Sequence, residues 1–167
     1  MKYTNQDILS VYSLDYDISL LERELEELFP RKNFNFMERN PTPDGSYYYN
    51  VEGNMPSHIV DAIERSIGQQ IEDYFFIWEW VGDELTKHID KRTNQFGEVP
   101  PTTAVVALEA DFRLDIWEHD RHTLKDSYTY NPGDIIVLNN TGWYHSGHVV
   151  NKTPGVRKRS LNCYIKN

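Results

Sequence analysis

His88 and Asp90 stand two residues apart in the run Gly82-Asp83-Glu84-Leu85-Thr86-Lys87-His88-Ile89-Asp90. Side chains alternate along an extended chain, so this spacing puts an imidazole and a carboxylate on the same face. Both can reach one divalent ion there. A third ligand from later in the chain would complete a facial triad, the geometry that suits Fe(II) and leaves positions free for a bidentate cosubstrate and dioxygen. The pair alone is a weak signal, because two polar residues on a solvated strand look the same.

Rival chemistry is sparse. The run Trp117-Glu118-His119-Asp120-Arg121-His122 is a second cluster of histidine and acid with zinc-type donors. It follows a strand and precedes a turn, where a polar loop is the simpler reading. His58, near the start of a helix, has no partner at ligand spacing. The sequence contains no glycine-rich phosphate loop, Cys-x-x-Cys pair, Gly-x-Ser-x-Gly elbow or His-Glu-x-x-His helix. Its single cysteine, Cys163, cannot close an intrachain disulfide and lies in an alternating apolar segment, as a small buried hydrophobe would.

Helical periodicity comes first along the chain. Ile18, Leu21, Leu25 and Leu28 recur at helical spacing among glutamates up to Phe29-Pro30, where proline stops a helix. Arg39 to Asn54, with its prolines, glycines and the Tyr47-Tyr48-Tyr49 cluster, reads as loop with one short strand. Pro56 and Ser57 start a second helix. Ile59, Ile63, Ile67 and Ile71 repeat along its face, which predicts about five turns.

After Tyr74 strand signals dominate: Phe75 to Trp80, Thr103 to Leu108, the alternating Phe112 to Trp117, and Tyr128 to Tyr130. The turn Asn131-Pro132-Gly133-Asp134 leads into Ile135 to Leu138, and Leu161 to Ile165 closes the series. This order predicts one α+β domain over residues 1–167. Residues 1–74 are expected to be mainly helical support, and 75–167 a jelly-roll core, with the helices on the outer face of one sheet.

With 26 acidic against 17 basic residues the net charge is -9, which repels a long polyanion and disfavours nucleic acid as a partner. The dense basic run Arg157-Lys158-Arg159 interrupts a strand pattern and fits a local anion site better than a nucleic-acid patch. No apolar run is long enough to span a membrane, and the first residues lack a signal peptide's apolar stretch. A cytoplasmic location is the expectation.

From residue 75 onward the order of parts resembles the Fe(II)- and 2-oxoglutarate-dependent dioxygenases. It comprises an aromatic strand, Gly-Asp-x-Leu, His88-Ile89-Asp90, buried strands, Pro132-Gly133-Asp134, an apolar strand, Asn140-Thr141 ahead of His145, and a basic residue in the last strand. The resemblance implies a double-stranded β-helix, cupin-like core, with His88, Asp90 and His145 as metal ligands. His148, three residues on, competes with His145 as the distal ligand.

The family anchors the far carboxylate of 2-oxoglutarate with an arginine, less often a lysine, on the last strand, where a planar fork matches a carboxylate. Arg157, Lys158 and Arg159 are the candidates here, and shared parity with Leu161 and Cys163 favours Arg159, then Arg157. The usual serine two residues after the arginine is missing from that register; a bulge or a Lys158-Ser160 pairing would restore it. Arg92 at the mouth and Asn140, Trp143 and Tyr144 along the walls are the implied substrate contacts.

The implied activity is oxidation with Fe(II), 2-oxoglutarate and dioxygen, hydroxylating a small molecule or a protein side chain. Two other classes fit the same fold. One is a non-catalytic jelly-roll binding or structural module. The other is a cupin-like metalloenzyme that uses no 2-oxo acid, in which Arg157 and Arg159 would be dispensable. Oligomeric state stays open at this level.

Overall fold

The computed structural model describes residues 1–39, 41–90, 102–139, 142–151 and 153–166. In chain order they form β1 (Tyr3–Asn5), β2 (Leu9–Ser13), α1 (Ile18–Leu28), β3 (Asn35–Arg39), β4 (Thr42–Glu52), α2 (Ser57–Ile67) and β5 (Ile71–Trp80). There follow β6 (Glu84–His88), β7 (Thr103–Ala107), β8 (Phe112–Trp117), β9 (Leu124–Tyr130), β10 (Asp134–Leu138), β11 (Tyr144–Val149) and β12 (Arg159–Ile165). Among the described residues, a large sheet runs β1-β2-β10-β7-β12-β5-β4-β3 and a small one β6-β11-β8-β9. The pairings are antiparallel.

Alternation in the large sheet sends two apolar sets to opposite sides. Phe75, Ile77, Leu161 and Cys163 join Leu21, Leu25, Ile59 and Ile63 of the helices in one core. Phe76, Trp78, Ile136 and Tyr164 face Leu85, Phe112 and Leu114 of the small sheet in another. Strands with both faces covered lose the apolar-polar alternation of a half-buried strand, and every residue of β10 and of β12 is buried.

Both helices are held by their apolar stripes. The Asp17 carboxylate accepts the Leu20 N–H (2.8 Å) and caps α1, which ends at Phe29 ahead of Pro30 as its sequence predicts. Ile59, Ile63 and Ile67 of α2 are buried against the sheet, worth about 1.5–3 kcal/mol each on leaving water. Burial pushes the Cys163 thiol up to about 12, so it stays protonated and behaves as an apolar side chain.

Three expectations need correction. The second helix does not reach Ile71: Gly68 takes the left-handed conformation (φ 70°) and ends it at Ile67, leaving 11 residues. Ile71 begins β5 and packs into the same apolar layer, so the four-residue spacing runs on past the end of the helix. Residues 1–74 are not mainly helical, since β1, β2, β3, β4 and the start of β5 belong to the large sheet. The tyrosine cluster lies in β4, a strand of 11 residues, not in a loop. Gly45, at φ 90°, sits where a register shift gives β4 more residues than its partner β3.

Candidate metal centre

The two sheets enclose a cavity of about 740 Å³, and His88, Asp90 and His145 line it. A β-bulge turns His88 to the side of His145. On β11, His145 and Gly147 are two residues apart; their partners on β6, His88 and Leu85, are three apart. The extra residue reverses the alternation, so Leu85 and His88 both face the cavity. Thr86 secures the bulge by donating its N–H (2.8 Å) and its hydroxyl (3.1 Å) to the Pro41 carbonyl. Gly147 is required by a close approach: a Cβ there would lie 2.8 Å from Cη2 of Trp80.

Each imidazole is tied down on the side away from the others. His88 Nδ1 lies 2.6 Å from the Thr86 carbonyl oxygen and His145 Nδ1 3.0 Å from that of Trp143, so each Nδ1 carries the proton and donates. Each Nε2 then turns to Asp90 Oδ1, at 3.3 Å in both cases. One donor atom from each residue falls within 4.8 Å of the other two, the only such group of three among the described residues. His119 and His122 form no such group. His119 stacks on Trp143 (4.9 Å, 18°), and the His122 N–H completes a turn on the Asp120 carboxylate.

Burial opposes ionisation of Asp90, but hydrogen bonds and charge from His145 and His88 outweigh it and hold the carboxyl well below the usual range. Burial lowers the proton affinity of His145, and the Asp90 carboxylate with the Trp143 carbonyl more than restores it, so its pKa is raised. An ionised carboxylate and two oriented imidazoles therefore face an open volume.

The anticipated distal residues separate cleanly. His145 is brought to His88 and Asp90, whereas His148 points to the other face of β11, where its Nε2 lies 3.4 Å from Asp115. Trp143 does not line the cavity with its ring; its carbonyl is what meets the site, through His145. Tyr144 does line it. Arg92 and Asn140 lie outside the described residues.

The reading of Arg159 and Arg157 as cavity residues is corrected. Arg159, 2% exposed, faces α1, with Nη1 3.3 Å from Glu22. Arg157 is held by Glu22, Glu26 and Glu109 on the same side. They share parity with Leu161 and Cys163 as expected, but that face of β12 packs on the helices. Ser160, Asn162 and Tyr164 face the cavity instead.

Lys87 and Arg121, also in the lining, carried no sequence signal for this position. Arg121 sits in the Trp117-to-His122 run, the rival cluster of histidine and acid.

No protein-family model matches the sequence, and no curated protein matches it. Solved structures do match in shape. OsALKBH1 superposes with a TM-score of 0.68 at 10% identity over 98% of each chain. A Pseudomonas putida prolyl-4-hydroxylase superposes at 0.59 and 12% identity over 95% of this chain and 92% of that one. An oxidoreductase of the 2OG-Fe(II) oxygenase family from Burkholderia pseudomallei superposes at 0.64 and 14% identity, over 95% and 84%. At such identities the likeness is one of fold.

Proposed function

We propose that this protein is an Fe(II)- and 2-oxoglutarate-dependent oxygenase that hydroxylates a small molecule or a protein side chain, with His88 Nε2, His145 Nε2 and the Asp90 carboxylate as the iron ligands. The observation that carries this reading is the convergence of those three donors on the cavity, each imidazole fixed from behind by a backbone carbonyl. Two neutral nitrogens and one carboxylate are the donor set that suits non-haem Fe(II). Strand orders β5-β12-β7-β10 and β6-β11-β8-β9 support reading the two sheets as a double-stranded β-helix. The fold neighbours, one of them a prolyl-4-hydroxylase, point the same way.

When bound, iron with 2-oxoglutarate and dioxygen supplies the oxidising power for an unactivated C–H bond, releasing succinate and carbon dioxide. The chain's own part is positional. The Thr86 and Trp143 carbonyls set the imidazole tautomers. Phe76, Trp78, Ile136 and Leu138 give the cavity apolar walls that keep water from the reacting centre.

With Arg157 and Arg159 engaged by glutamates, the basic candidate left in that run is Lys158, which stands one residue before β12, shares the parity of the cavity-lining Ser160 and Asn162, and does not itself line the cavity. Its Nζ lies 3.1 Å from Asp83 and 2.5 Å from the Val81 carbonyl, and it would exchange these for the far carboxylate of the cosubstrate. Lys158→Met is expected to weaken 2-oxoglutarate binding by at least about 10-fold without loss of iron.

Anaerobic titration of Fe(II) and 2-oxoglutarate, followed by the weak visible charge-transfer band of the chelate, tests the whole reading. The wild type should show the band and His88→Ala should not. The displaced arginines favour one alternative, a cupin-like metalloenzyme that uses no 2-oxo acid. Iron binding with no band would establish that alternative, and folded protein that binds no iron would leave a binding module.

A further inference from the structure

Arg121 is the only non-glycine residue with a positive φ, 66°, among the described residues. Strain of this kind persists where surrounding contacts over-determine it, and the turn joining β8 to β9 does so. The Arg121 N–H donates to the Glu118 carbonyl (2.9 Å), and the Glu118 N–H to the Thr123 carbonyl (2.9 Å). The Asp120 carboxylate takes the N–H groups of His122 (2.8 Å) and Thr123 (2.9 Å) and the Thr123 hydroxyl (2.7 Å).

The result is a guanidinium delivered to the cavity lining. Arg121 Nη2 donates to the Tyr144 hydroxyl (2.6 Å), and its Cζ lies 4.4 Å from that ring's centroid. Lys87 Nζ donates to the Arg121 carbonyl (2.9 Å) and sits 3.5 Å from the centroid of the Trp117 ring. Lys87, Arg121 and Tyr144 all line the cavity.

Acids outnumber bases 26 to 17 in this chain. Lys2, Arg31, Arg65, Arg113, Lys125 and Lys158 each have a carboxylate partner. Lys87 and Arg121 have none among the described residues, and neither do Arg23, Lys32 and Lys166, but only Lys87 and Arg121 of these five line the cavity; both are exposed, and their contacts are aromatic faces and carbonyl or hydroxyl oxygens.

We propose that Arg121 and Lys87 form an anion-binding subsite, and that the substrate carries a carboxylate which docks there. The inference rests on the oxygenase reading for the word substrate, but the subsite itself does not need the metal. A guanidinium fork matches a carboxylate, and its aromatic neighbour holds it without neutralising it. The net charge of -9 selects a ligand with one or two charges over an extended polyanion.

The test uses phenylacetate and its uncharged analogue phenylacetamide, titrated against tryptophan fluorescence with Fe(II) and 2-oxoglutarate bound under anaerobic conditions, and again without metal. Phenylacetate is expected to bind at least about 10-fold more tightly than phenylacetamide. That preference should vanish in Arg121→Gly, whose backbone is at ease at a positive φ, and in Lys87→Met; Arg121→Lys should keep part of it. Equal binding of the two probes, no binding of either, or a preference that survives Arg121→Gly would overturn the proposal. So would loss of the iron chelate band in Arg121→Gly, because Arg121 would then serve the cosubstrate. Absence of the band in the wild type sinks the oxygenase reading alone, and the metal-free titration still decides the subsite.

Discussion

Two clusters of partly buried charge lie on opposite sides of the large sheet and meet opposite ends. On the helix side, Arg159 and Arg157 close on Glu22, and Glu26 and Glu109 take the rest of Arg157. On the cavity side, Asp90 meets two imidazoles whose Nε2 atoms share it and face open volume. The proton affinities move oppositely as well. Burial raises the pKa of Glu22 despite the two arginines, while the histidines bring Asp90 down despite burial. Buried charge therefore does not mark a functional site by itself. A site needs donors that converge where something can enter.

Removing one partner of the closed cluster should have the largest effect. Glu22→Ala leaves Arg159 buried without its carboxylate and is expected to cost about 3–5 kcal/mol in denaturant unfolding. The doubly apolar Glu22→Leu/Arg159→Met protein should recover most of that, and both proteins should keep the iron chelate band. Loss of the band on breaking the helix-side cluster would erase the distinction between the two.

The open cluster should respond in metal binding instead of folding. Changing groups that only support ligands commonly weakens metal affinity about 10–100-fold, so Asp90→Ala is expected to exceed about 100-fold, or about 2.7 kcal/mol, in competitive Fe(II) titration. Circular dichroism should report a retained fold. Gly147→Ala, which drives a methyl into Trp80, should cost about 1–3 kcal/mol in thermal unfolding and narrow the cavity beside the site.

The smallest effect is the dependence on pH. The raised pKa of His145 means that its proton stabilises the folded, metal-free protein below the unfolded value, and that this contribution is lost as pH rises through the folded value. Asp90 contributes above the unfolded carboxylate pKa and loses that contribution only in strong acid, as pH falls through its depressed folded value. With His145 Nε2 as a proposed ligand, metal must displace its proton. Its stabilising effect in thermal melts should therefore grow as pH rises through the His145 titration, and a flat profile would place the metal elsewhere.

Much of the local structure was legible because its causes are local. An apolar stripe and a proline delimit α1, and β-branched or aromatic runs mark β5, β7, β8 and β10. The short strands β1 and β2 went unread: β1 has only three residues, and the pairing of β2 with β10 is made by a segment more than a hundred residues away. His88 and Asp90 were legible for the same local reason, as a two-residue spacing.

Parity marks the boundary between what the sequence determined and what the tertiary structure decided. Along β12 the residue types alone establish that Arg159, Leu161 and Cys163 share one face and Ser160 and Asn162 the other. They cannot tell which face meets the cavity, because both are buried, one under helices and one under the small sheet. That His145 and not His148 meets His88 and Asp90 likewise depends on the pairing of β11 with a bulged β6, a contact between distant segments. Local spacing supplies candidate donors; only the packing of two sheets and two helices assigns each face its neighbour.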